Sequence, residues 1–221
     1  MSRHLTSPEV APARALGPAS ARPGQVPGDS GAGGGRRLTE RQAEAVARLV
    51  EAAVEEVHDR GYDGLTVRNV ARRAGMAPAS AYTYFSSKDH LVAEALWRKL
   101  QRLPPAASED ATTLERVTAE LRALGSFMAD DPALTAACTA ALLGPGPDVV
   151  HLRARFGREI HLRLRRALGP GGDRAALEVL ELAYTGAMLS TGMGHLSYAE
   201  VADQLGEAAR LILSGAGEGS G

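Results

Sequence analysis

The sequence predicts an all-α chain with an N-terminal three-helix, helix-turn-helix domain and a second, larger helical unit. Three observations carry this. Apolar residues recur at i, i+3, i+4 and i+7 in one segment after another. No run alternates as a half-buried strand would. Glycine and proline clusters, among them GYDG, PP, GPGP and GPGG, divide these segments at helical lengths.

In chain order, residues 1–37 are rich in Ala, Pro, Gly and Ser, with too few large apolar side chains to offset the cost of ordering, so a disordered basic arm is expected there. Such an arm either trails along DNA or is an idle tail. Arg36 and Arg37, beside the folded domain, are its best candidates for a DNA contact. The DNA-binding domain is expected over 38–103, starting with a helix over 39–60 that carries Val46, Leu49, Val50, Ala53, Val54 and Val57 on one face and is stopped by Gly61. The acids Glu51, Glu55, Glu56 and Asp59 are expected to point away from DNA, where phosphates would repel them.

The motif itself spans about 65–85. Val67, Val70, Ala71 and Ala74 form one buried stripe, with Arg68, Asn69, Arg72 and Arg73 outside it, and Thr66 stands at the N-cap. Gly75 sits where a helix needs a left-handed residue to stop. Pro78 suits the first turn of the next helix, where its missing amide would be unpaired anyway. In that second helix Ala81, Tyr82 and Phe85 are expected on one face, leaving Ala79, Ser80 and Thr83 on the other and Tyr84 at the flank. Short outward side chains permit close approach to a DNA groove. Ser87 is a plausible N-cap for a further helix carrying Leu91, Val92, Ala95, Leu96 and Leu100, which ends before Pro104; Lys88 lies in its first turn, where free amides favour an anion.

The second unit is expected over 108–214, with helices near 111–130, 132–143, 147–168, 173–195 and 198–214 and a flexible tail at 215–221. Ala183, Gly186, Ala187, Ser190 and Gly194 form a stripe of small residues, and Val201, Leu205, Ala208, Ala209 and Ile212 an apolar face on the last helix. These faces suit either a four-helix interface between two subunits or packing within one chain. Phe127, Met128, Leu134, Cys138, Leu142, Phe156, Ile160, Leu164, Tyr184, Met188 and Met193 are candidates to line an apolar cavity, or are plain core; methionines adapt to varied shapes and Tyr184 offers a polar handle.

Composition narrows the function. The formal net charge is −1, so affinity for nucleic acid must come from local clusters, of which Arg36, Arg37, Arg68, Arg72, Arg73 and Lys88 are the candidates. Cys138 is the single cysteine, which excludes an intramolecular disulfide and suits a reducing, cytoplasmic compartment. No apolar stretch approaches the roughly 20 residues of a membrane span, and no secretory leader is evident. His151 and His161 share no metal-binding spacing with a carboxylate, His195 and Ser197 lack a placed acid, and no phosphate-cradling loop follows a strand. Neither an enzyme, a metal site nor a cofactor is expected.

The order of GYDGLTV, NVARRAGM, SAYTYF and SSKDHL behind an apolar-striped helix resembles the DNA-binding domain of the tetracycline-repressor (TetR) family over about 39–100. The resemblance implies an all-helical homodimer whose second motif helix enters the major groove, with a C-terminal domain that dimerises and binds a small inducer. It further implies that Lys88 and Tyr82 clamp phosphates, although a Tyr82 packed on the core explains the spacing equally well. Thr66, Arg68, Ala77, Pro78, Ala79, Ser80, Thr83 and Tyr84 complete the expected DNA-contact set. The chain departs from the family pattern in having Ala77 for a capping serine, Ala81 for a leucine plug, Thr83 for a long basic residue and Asn69 for a capping-box acid.

Two functions follow. The first is a homodimeric repressor that binds a palindromic operator in double-stranded DNA, since two recognition helices related by a twofold axis read two half-sites, and that is released by a small hydrophobic ligand. The second is an architectural DNA-binding protein with a filled, ligand-blind core.

Overall fold

The computed structural model describes residues 32–106 and 110–218, with side chains from 39 to 215. The expected arm therefore lies outside the described residues as far as 31, and the expected tail from 219 onward. Among the described residues every regular element is a helix: α1 (Ala32–Gly64), α2 (Val67–Arg73), α3 (Pro78–Tyr82), α4 (Lys88–Leu100), α5 (Thr113–Ala129), α6 (Pro132–Leu142), α7 (Pro147–Leu168), α8 (Arg174–Gly192) and α9 (Val201–Glu218).

Local chemistry sets most of the boundaries. Gly61, at φ 68°, breaks the helical path of α1 at the expected place, although α1 begins at Ala32, ahead of the expected residue 39. Its most buried positions are the apolar Ala45, Leu49, Ala52, Ala53 and Val57 together with Glu56, while Val46, Val50 and Val54 are only partly covered. The buried stripe is thus turned slightly from the expected one, because α1 carries small apolar residues on both flanks of Leu49 and the tertiary neighbours choose between them. Farther along, Thr112 and Glu115 form a reciprocal capping box at α5, Asp131 caps α6 and Asp173 caps α8. Gly169, at φ 82°, ends α7.

From Thr39 onward the chain packs as one compact unit. A single apolar cluster runs from Leu49 through Leu96 and Trp97 of α4 to Leu180 of α8 and Leu205 of α9, so α4 belongs to both the motif region and the larger helical region. Helices α5 and α9 approach closely, so that a β-carbon on Gly125 would stand 2.6 Å from the Ala202 α-carbon. Beneath the end of α4 lies a buried ion pair. Arg163 donates to Glu120 at 2.8 Å, to Glu159 at 2.9 Å and to the Leu103 carbonyl at 2.5 Å, which ties α7 to α5 and to the chain leaving α4.

Candidate nucleic-acid interface and apolar cavity

The motif helices are held from behind and bare in front. Val67, Val70 and Ala71 bury one side of α2, and Thr66 caps it by accepting the Asn69 amide at 3.1 Å. Asn69 does not complete a capping box; its side-chain oxygen accepts from Arg72 at 3.1 Å instead. Gly75 takes the expected left-handed conformation, φ 66°, and α3 then starts at Pro78 with no side-chain cap from Ala77. Ala81 and Phe85 are buried, whereas Thr66, Arg68, Ala77, Pro78, Ala79, Ser80, Tyr82 and Thr83 face solvent and Tyr84 is half-buried.

Tyr82 does not share the inner face with Ala81 and Phe85, as its spacing suggested: it is 54% exposed, because α3 ends at Tyr82 and the backbone turns toward Phe85. The Thr83 hydroxyl donates to the Ser80 carbonyl at 2.6 Å, which spends its proton within α3 and leaves the oxygen as an acceptor. Lys88 is half-buried; its ammonium donates to the Tyr62 carbonyl at 2.9 Å and lies 4.1 Å from the Tyr62 ring centroid, with two further N–H groups to offer. Tyr62 in turn donates to Asp89 at 2.5 Å.

Arg73 is removed from the set of basic side chains available to DNA. Its guanidinium is spent on α1, at 3.2 Å from Glu55, 2.8 Å from Glu56 and 2.5 Å from Asp59. Those contacts also account for three of the α1 acids. Arg36 and Arg37 fall within the first turns of α1, and their side chains lie outside the described residues.

Behind α4, a cavity of about 280 Å³ opens among α5, α6, α7 and α8. Phe127, Met128, Cys138, Leu142, Phe156, Ile160, Tyr184 and Met188 all line it. Leu134 and Leu164 are instead buried core away from its wall, and Met193 is 62% exposed. Burial raises the Cys138 thiol, and likewise the Tyr184 hydroxyl, far above their ordinary ranges, so both stay neutral. Thr135 and Thr139 spend their hydroxyls on helix carbonyls, at 3.1 Å from Met128 and 2.9 Å from Thr135. Sequence reasoning passed over Arg153, Glu181, Leu96 and these threonines, all of which line the same space. Arg153 was legible in retrospect: it stands three residues before Phe156 and seven before Ile160, on one helical stripe.

The walls of the cavity touch the motif region at several points. Asp131, at the head of α6, accepts from His58 of α1 at 2.8 Å and from Lys99 of α4 at 2.8 Å. Asp148, in the first turn of α7, accepts from Ser86 at 2.5 Å. Arg155 reaches Glu94 at 3.4 Å and covers the Trp97 ring, 4.5 Å from its centroid.

The expected dimer residues divide. Leu205 and Ala209 are fully covered within the chain, on the α9 face turned to its neighbours α5 and α8, and so are not available to a second subunit. The reason is the close α5–α9 approach at Gly125. Ala183, Ala187, Ser190 and Ile212 are half-buried, and Gly186 and Gly194 are exposed. Bare apolar side chains on these helices are Val179, Leu182 and Leu211, with Met193 just beyond α8.

Similarity to known proteins agrees with this geometry. The sequence pattern of bacterial regulatory proteins of the tetR family matches residues 49–95. An uncharacterised HTH-type transcriptional regulator of Mycobacterium tuberculosis is 44% identical over 197 residues, 84% of this chain and 92% of its own length. The chain belongs to the tetR family. The HTH-type transcriptional repressor KstR of Mycolicibacterium smegmatis is 29% identical over 137 residues, covering 60% of this chain and 67% of its own. The fold is also that of the transcriptional regulator FadR of Bacillus subtilis, solved in complex with stearoyl-CoA; the two superpose with a TM-score of 0.56 at 19% identity over 76% of this chain and 98% of that one. As a tetR-family protein the chain is a DNA-binding transcriptional regulator and not an enzyme. Among the described residues no single helix is long and apolar enough to cross a membrane.

Proposed function

We propose that this tetR-family chain is a homodimeric repressor that binds a palindromic operator and leaves it when a small apolar ligand enters the cavity behind α4. The observation that carries the reading is the convergence of Phe127, Met128, Cys138, Leu142, Phe156, Ile160, Tyr184 and Met188 on one mostly apolar space of about 280 Å³. A filled, ligand-blind core would leave no such space, since packed interiors hold few voids larger than a water molecule.

Thr66, Arg68, Ala77, Pro78, Ala79, Ser80, Tyr82, Thr83, Tyr84 and Lys88 form the DNA-facing set, with Arg36 and Arg37 ahead of it. The exposure of α3 and of Tyr82 supports that assignment. The subunit seam runs along the outer side of α8 and α9, through Val179, Leu182, Gly186 and Leu211, whose apolar surface a second copy would cover. The repressor role of KstR supports repression, and the stearoyl-CoA bound to FadR supports an acyl or similarly apolar effector.

The test has two arms. Selection of genomic fragments by the purified chain should return a site with twofold symmetry. A thermal-shift screen of apolar compounds should then find one that stabilises the chain and releases that fragment. If every stabilising compound, carboxylates included, leaves DNA bound, or if a saturating screen gives no hit, the architectural reading is favoured.

A further inference from the structure

Resting on the ligand reading above, we propose that Arg153 is the residue that recognises a carboxylate on an otherwise apolar ligand, and that its capture by that carboxylate is what the motif region senses. Arg153 lines the cavity from α7. Its Nε donates to the Leu142 carbonyl at 2.7 Å and its Nη2 to the Gly144 carbonyl at 2.8 Å. The side chain, on an exposed residue at the rim of the cavity, therefore closes the link between α6 and α7 like a latch, beside a site whose other walls are largely apolar.

That link touches the motif region directly. A β-carbon on Gly144 would stand 3.2 Å from the Asp89 carboxylate, in the first turn of α4, and Asp89 is also the acceptor for Tyr62. Asp148, just beyond the link, accepts from Ser86 at 2.5 Å and lies 3.8 Å from the His90 ring nitrogen. Ser86 joins the recognition helix to α4.

The chemistry favours exchange. A guanidinium bonded to two neutral carbonyls gains a stronger, charge-assisted and two-pronged pairing when a carboxylate arrives. Glu181, the other charged residue of the lining, does not compete, because it is engaged by His161 at 2.7 Å. Capture frees the Leu142 and Gly144 carbonyls and loosens the link beneath Ser86 and Asp89. A ligand that enters without an acceptor fills the space and leaves the latch closed, so it has no differential affinity with which to move the equilibrium.

The experiment uses the full chain and two probes of equal length, decanoate and decanol. Binding is read by tryptophan fluorescence, and loosening by hydrogen exchange at the amides of residues 86–91. R153Q is expected to lose at least about tenfold in decanoate affinity, as removal of a charge-assisted bond implies, while decanol binds as before. Decanoate, but not decanol, is expected to speed exchange at 86–91 in the unaltered chain, and R153Q to show fast exchange without a probe. R153K keeps a cation but cannot span both carbonyls; it serves as the second variant if R153Q misfolds, and should retain part of the decanoate binding with raised exchange. If both probes bind the unaltered chain and R153Q equally, Arg153 is not the reader, though the ligand cavity stands. If decanoate binds through Arg153 and exchange at 86–91 does not change, the latch is overturned. If neither probe binds the unaltered chain, the ligand reading falls and the latch with it.

Discussion

The Trp97 indole of α4 meets the Phe156 ring of α7 edge-on, with centroids 5.3 Å apart and planes inclined at 77°. Phe156 is part of the cavity wall, and Trp97 is the chain's single tryptophan. Fluorescence excited in the indole therefore reports on the junction between cavity and motif with no competing signal. A ligand that displaces Phe156 is expected to shift or quench that emission. F156A is expected to abolish the response and to cost about 2 kcal/mol in urea unfolding, from lost ring contact and residual space.

K88A separates two duties of one side chain. If Lys88 clamps a phosphate, binding to every DNA sequence should weaken, and the slope of log affinity against log salt should fall by about 0.9. Loss of its bond to the Tyr62 carbonyl and its place over the Tyr62 ring should also lower stability by about 1 kcal/mol. Weaker binding with an unchanged slope would mean that the stability effect alone is being read.

Arg73 should behave in the opposite way. R73A leaves the carboxylate of Glu56, whose side chain is only 3% exposed, with the Arg60 guanidinium at 3.3 Å as its remaining ion-pair partner, so the denaturation midpoint should drop. The salt slope of DNA binding should stay as it was, since the guanidinium is already spent on α1. A reduced slope would return Arg73 to the DNA-contact set.

Burial alone would push the Asp131 carboxyl up, but the bonds from Lys99, His58 and the Leu134 amide outweigh it and hold the group below its ordinary value of 3.8. A depressed native value contributes stability above the unfolded value, and this is lost as the pH falls through the native one. D131N, which can still cap α6, should be less stable than the unaltered chain at neutral pH. The gap should close below about pH 4. Denaturant midpoints of the two chains across that range give the answer.

Gly125 is the tight point between α5 and α9. G125A puts a β-carbon into the Ala202 backbone, so a cost of about 1–3 kcal/mol is expected in equilibrium unfolding.

Much of this was legible in the sequence, for identifiable reasons. Gly61, Gly75, Pro78 and Ser87 mark helix ends by local chemistry, and all four act as the sequence suggests. The eight cavity residues were legible because apolar stripes on adjacent helices must face one another. Periodicity does not say which neighbour covers a face, however, so Leu205 and Ala209 read equally well as seam or core, and α5 took them. Nor does it foresee that a basic residue on a motif helix will be claimed by acids earlier in the chain, as Glu55, Glu56 and Asp59 claim Arg73. Arg153 was passed over because charge reads as surface, although its stripe points to the cavity.

The bareness of α3 bears on how such a regulator can change its target. Ala79, Ser80 and Thr83 contribute no buried contact, and substitutions at positions of this kind usually move stability by no more than about 0.5 kcal/mol. The supports at Ala81 and Phe85 lie on the opposite side and are untouched by such exchanges. A new binding site can thus be acquired one side chain at a time by a protein that stays folded throughout, so duplicated copies are free to diverge toward different genes.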